Sequence, residues 1–144
     1  MLRTSLATLA LLAGALATPA LAGDCSTLAV TADEDSIAVD ITGGLADAPA
    51  FLVVGDTTGT TAFDFGPLGS LTLGLVQPFA LFPVGSTDAA GALSLSFPNN
   101  GNAPDVDLFA QAVTVGFTLN VPPIPGELPV SLEFCTSNVA AFSL

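Results

Sequence analysis

The side chains able to do chemistry in this chain are almost all carboxylates. Thirteen Asp and Glu stand against one Lys or Arg, Arg3, with no His, Trp or Tyr. Acids and amides gather in three places. "TADEDS" sets Asp33, Glu34 and Asp35 side by side, "PNNGNAPDVD" holds Asn99, Asn100, Asn102, Asp105 and Asp107, and "GSTDAAG" (Gly85 to Gly91) carries Asp88. Oxygen ligands at this density suit a hard cation, but Asn-Asn-Gly also reads as a plain turn, so no cofactor is expected and calcium is the alternative. The best set is Asn99, Asp105 and Asp107, because Asp105 and Asp107 share a strand face by period two. The adjacent acids of "DED" lack the alternating spacing of an EF-hand loop and read as a solvated hairpin turn.

Other polar positions read as structural. Asp88 is expected to bond its own downstream amides, and Gly91 to take positive φ in the same connection. Gln111 stands among apolar neighbours, so an inward-facing amide must find partners, with a backbone hydrogen bond as its expected role. A glycosidase needs two carboxylates about 5–9.5 Å apart. Thirteen acids make some such pair inevitable, so a carboxylate-based hydrolase is carried as the weakest alternative and no catalytic residue is assigned.

The absences exclude more than the acids suggest. Imidazole bases are missing, which removes Ser-His-Asp and Cys-His catalysis and His-built zinc or copper sites. A Lys-bearing phosphate loop is missing too. Nucleic acid and anionic membrane surfaces need clustered Lys and Arg, so neither is an expected partner. Charge of one sign favours solubility. With 51% apolar and only 10% charged residues, the chain is nevertheless not a disordered acidic tail.

The chain opens "MLRTSLATLALLAGALATPALAGDC". Arg3, the small and apolar run Leu6 to Ala17, the break at Pro19 and Ala20-Leu21-Ala22 form a secretory signal peptide cleaved after Ala22. The run is short of the ~20 apolar residues a bilayer needs, so no membrane insertion is expected after cleavage. A lipid anchor needs Cys directly after the cleaved small residue, and Asp24 intervenes before Cys25. Cys25 and Cys135 are therefore expected to form one disulfide in an oxidising compartment. It closes a loop of about 110 residues, worth roughly 4–5 kcal/mol in the chain-entropy description. The product is expected to be secreted or at the cell surface, with the periplasm as the alternative. Residues 23–144 carry all thirteen acids and no Lys or Arg, a net charge of −13, and suffice for one domain.

Period-two patterns fill that segment, and no helical stripe with caps is found. "TLAVTA" and "SIAVDIT" alternate around "DED". "AFLVVG" is apolar on both faces and reads as a central strand. "SLTLGLV", "FALFPV" and "ALSLSF" follow, then the long "DVDLFAQAVTVGFTLN", whose apolar parity changes near Ala112-Val113. A β-bulge or a strand crossing between sheets does this. "VPPIPGELP" cannot lie inside a sheet. "PVSLEF" and "VAAFSL" close the chain, and Cys135 points away from the face of Phe134, so its bond pins the N-terminal segment over an outer edge. The expectation is an all-β fold: an antiparallel two-sheet β-sandwich, immunoglobulin-like or jelly-roll-like, with a β-barrel as alternative.

From about residue 50 onward the chain resembles a C-terminal-type all-β domain of secreted planctomycete and related marine bacterial proteins. The resemblance rests on "FLVVG", "FALFPVGSTDAAGALSLSFPNN", "VDLFAQAV" and "TSNVAAFSL". Its most recognisable parts are G-x-x-D-x-x-G ahead of an alternating strand and Pro-Asn, then Leu-Phe-Ala-Gln-Ala, then Ser-Asn near the end. It implies an extracellular β-sandwich and supplies no catalytic residues. The shared residues Asp88, Gly91, Pro98, Asn99, Gln111 and Asn138 look like turn and core-polar positions. The chain lacks the repeat domain often attached to such domains, and the Trp or Tyr often near the Gln. The functional expectation is a non-catalytic cell-surface, matrix or adhesion-type module, able to self-associate through a strand edge. A calcium-dependent binding module is the alternative.

Overall fold

Alternation builds the first hairpin. Thr27–Ala32 (β1) and Ser36–Thr42 (β2) pair antiparallel, with Leu28 opposite Ile41 and Val30 opposite Val39. Opposed residues share a face, so these branched side chains form one apolar surface while Thr27, Asp40 and Thr42 face solvent. Leu93–Pro98 (β7) extends the same face by setting Leu93 against Ile41 and Leu95 against Val39. The three strands form a sheet in the order β1-β2-β7. The computed structural model describes residues 25–101, 105–119, 125–126 and 129–144. The expected signal peptide, its cleavage point and Asn102 lie outside the described residues.

A four-stranded antiparallel sheet is the centre of the fold, in the order β6-β3-β8-β9: Phe79–Ser86 (β6), Pro49–Gly55 (β3), Asp107–Leu119 (β8) and Val130–Ser143 (β9). Both its faces are covered. Ala50, Leu52, Ala110 and Ala112 pack with Leu28, Val39 and Ile41 of the three-stranded sheet. From the other face, Val53 and Val113 pack with Leu73 and Leu75. Those leucines belong to Ser70–Leu75 (β5), paired with Thr58–Asp64 (β4) around a 3-10 turn at Gly66–Leu68. Double coverage explains why "AFLVVG" is apolar throughout. Leu75 is fully buried, worth about 1.5–3 kcal/mol in removed apolar surface.

The all-β expectation holds, with antiparallel sheets, none of them closed into a barrel. The described strands form three sheets where two were expected. The hairpin β4-β5 is the addition, and β4 was not foreseen. Its sequence, "TGTTAFD", has little alternation because it is the outer strand of an outer hairpin. "PVSLEF" and "VAAFSL", read as two strands, are one continuous β9.

The expected bulge is present, but β8 does not carry it. Register runs from Gln111 opposite Val139 to Val113 opposite Thr136, so β9 carries one residue more than β8 across this step. The bulge therefore lies at Ser137-Asn138 on β9, while β8 itself alternates regularly. It places Phe134 and Val139 on the same face despite their opposite parity.

Candidate functional site

The bulge is a polar junction between layers. Gln111 Oε1 accepts from the Gly74 amide of β5 at 2.8 Å, and Nε2 donates to the Ser137 carbonyl at 2.8 Å. Ser137 Oγ accepts from the Ala112 amide at 2.8 Å and donates to the Asn138 carbonyl at 2.7 Å. Asn138 Oδ1 accepts from the Leu28 amide at 2.8 Å, and Nδ2 donates to the Leu28 carbonyl at 3.1 Å. Such buried amides are costly unless paired, and here both ends of each are used.

The disulfide joins Cys25 to the buried Cys135, with Cα atoms 5.5 Å apart. The Cys25 and Ser26 amides both donate to the Thr136 carbonyl, at 3.0 and 3.3 Å. Ser26 also makes a parallel bridge to Ser137. The N-terminal segment is thus fixed along β9, an edge of the central sheet. Among the described residues, Ser26 Oγ is the one buried side-chain oxygen without a partner.

A second cluster ties two loops together. Asp88 Oδ1 accepts from the amides of Ala90 and Ala92 at 2.9 Å each. Gly91 has φ of +77°, and a Cβ there would lie 2.0 Å from the Gly44 carbonyl oxygen. The Gly44 amide donates to the Gly91 carbonyl at 2.9 Å, and the Asp47 amide to the Asp88 carbonyl at 3.0 Å. Thr87 Oγ1 accepts from the Ala48 amide at 3.0 Å and donates to the Leu45 carbonyl.

Of the three expected calcium ligands, Asn99 and Asp105 line one groove and Asp107 does not. Asn99 Nδ2 donates to the Asp33 carbonyl at 2.7 Å, and its amide to the Asp35 carbonyl at 2.8 Å, so Asn99 braces the "DED" turn. Asp33 accepts from the Ser36 amide at 2.6 Å and the Asp35 amide at 2.9 Å, and these bonds hold its carboxyl below the ordinary value. Asn99 and Asp105 line a groove of about 360 Å³ together with Asp33, Glu34 and Ser143. Asp107 does not line it and instead accepts a hydrogen bond from Ser143 Oγ. Among the described residues no three His, Cys, Asp or Glu side chains converge as a metal site.

Another groove, of about 410 Å³, runs beside β8 between the 45–49 segment and Glu133. The β3–β8 ladder ends at Ala50–Thr114, whereas the β8–β9 ladder continues to Leu119–Val130. Val115 to Leu119 thus overhang, with Phe117 and Leu119 66% and 68% exposed. Gly116 lies opposite Glu133, and a Cβ on it would come 3.1 Å from Leu45 Cδ1. Sequence reading gave Asp47, Gly116 and Glu133 no role. The available signal was Gly116, since a strand glycine often marks a close approach.

No protein family matches the chain, and neither a curated protein nor a solved structure matches it. Among the described residues no helix is long and apolar enough to cross a membrane.

Proposed function

We propose that this is an exported, non-catalytic β module that works by contact, as a cell-surface, matrix or adhesion-type component. The observation that carries the reading is exposed apolar surface on strand edges. Leu81 and Phe82 on β6, Phe97 on β7, and Phe117 and Leu119 on β8 are large apolar side chains open to solvent. Phe117 and Leu119 share one face of the β8 overhang, and exposed apolar side chains beside unpaired strand backbone support a contact role. The Cys25–Cys135 disulfide supports an extracellular or periplasmic location, where such bonds persist. We read the three-stranded and four-stranded sheets as the sandwich of the planctomycete-type domains that the chain resembles, with β4-β5 as an added cover. The internally spent bonds of Gln111, Ser137 and Asn138 support structural roles for them.

The test is a panel of glycoside and ester substrates offered to the purified protein, alongside binding of the protein to intact cells of its source. Binding to cells without turnover is the expected result. Turnover that disappears on an Asp→Asn substitution overturns the reading in favour of a carboxylate hydrolase.

The groove that gathers Asp33, Glu34, Asn99 and Asp105 favours calcium binding as a second reading. It requires a higher melting temperature in calcium than in chelator, lost in Asp105→Asn. Equal melting in both removes it.

A further inference from the structure

We propose that the groove beside β8 receives an extended, basic segment of a partner chain, which adds to the central sheet as a strand next to Val115–Leu119. The inference rests on the contact-module reading and names its surface and the chemistry of its partner.

The edges of the central sheet are not equivalent. The β6 edge carries Pro83, and its register with β3 shifts at Ala50/Phe51. Both features discourage pairing with a further strand. The β9 edge is blocked at its middle, where the Cys25–Ser26 segment binds the Thr136 carbonyl and bridges to Ser137. Among the described residues the overhang of β8 has no such device. β3 leaves it at Pro49, which has no N–H to donate, and among the described residues no strand takes its place beyond Thr114. Unpaired strand backbone is a template for an added strand. Five residues at about 3.3 Å each give roughly 16 Å of edge.

The side chains around this edge specify the occupant. Gly116 and Glu133 are cross-strand partners and share one face, while Phe117 and its partner Leu132 share the other. A strand lying here therefore needs apolar residues on the Phe117 face and cations on the Glu133 face, which is an alternating pattern. Asp47 lies in the same groove, so two exposed carboxylates flank it. Nothing in the exported chain answers them, since residues 23–144 hold no Lys, Arg or His. A second copy brings only more acid, which leaves a basic heterologous segment as the occupant that charge complementarity selects.

The experiment titrates a fluorescent short peptide of alternating Lys and Val into the disulfide-bonded protein and follows anisotropy. The same peptide with alternate backbone amides N-methylated keeps its charge but cannot pair as a strand. Asp47→Asn with Glu133→Gln is compared with Asp35→Asn plus Asp56→Asn, which removes equal charge outside the groove. Gly116→Thr fills the groove without touching a charge. The expected result is binding that weakens about tenfold in the groove double variant and on N-methylation, is lost in Gly116→Thr, and changes little in the control variant. The proposal is overturned by equal weakening in both double variants, by an N-methylated peptide that binds as well, or by no binding at all. Those outcomes leave the contact-module reading standing, because only turnover or a failure to bind cells removes it.

Discussion

Replacing Asn138 by Ala removes both side-chain bonds that hold β1 against β9. The lost partners are the Leu28 amide at 2.8 Å and the Leu28 carbonyl at 3.1 Å. Leu28 is only 3% exposed, so water does not readily replace them. A buried donor or acceptor left unpaired costs about 1–3 kcal/mol, which sets the expected loss near 3 kcal/mol after partial relaxation. For a domain of this size that is a fall in Tm on the order of 10 °C. The chain has no Trp or Tyr, so far-UV circular dichroism is the probe. Hydrogen exchange at the Leu28 amide reports the same event locally and should accelerate. Asn138→Asp keeps the acceptor but sets a buried carboxylate oxygen against the Leu28 carbonyl, and at neutral pH loses at least as much as Ala. An Asn138→Ala protein with parental Tm and parental protection at Leu28 would refute the junction's assigned role.

Three further outcomes are expected. Cys25→Ala with Cys135→Ala opens a link between residues 110 apart and costs about 5 kcal/mol, measured as the difference in urea unfolding free energy. Gly91→Ala and Gly66→Ala both place a side chain at positive φ, but only at Gly91 does the new Cβ strike a carbonyl, 2.0 Å away. Gly91→Ala should therefore lose about 3 kcal/mol or more and Gly66→Ala about 1 kcal/mol in thermal melts. The amides of Ser36 and then Asp35 lower the Asp33 pKa from its ordinary 3.8, so its stabilisation is present above that value and lost as pH falls through the folded pKa. Asp33→Ala should lower Tm near neutral pH, and its gap from the parent should close in strong acid.

Most strand positions were legible in the sequence because apolar side chains mark one face of each half-covered strand. The hairpin of β1 and β2 around "DED" and the buried character of β3 follow directly from "TLAVTA", "SIAVDIT" and "AFLVVG". β4 was not legible, since an outer strand with Thr and Gly at most positions buries too little to show a period. The bulge was located to the correct rungs but on the wrong strand. Val113, Val115 and Phe117 change parity relative to Leu108 because the two covered faces of β8 ask for different sizes, with Ala110 and Ala112 on the close-packed side. The grouping of Asn99 with Asp33 and Asp105 depends on how β2 and β7 end together, and spacing along the chain does not encode it. The β8 groove depends on where two ladders stop, so Asp47 and Glu133 drew no attention as isolated acids.

Expression from Met1 in a bacterial host, with intact-mass measurement on each cell fraction and on the medium, tests most directly whether this is an exported module. The expected species lies outside the cytoplasm, begins at Gly23 and weighs two hydrogens less than its reduced form, as the Cys25–Cys135 bond requires. A chain recovered from the cytoplasm with its first residues intact and two free thiols, or one bearing an acyl group on Cys25, would contradict it.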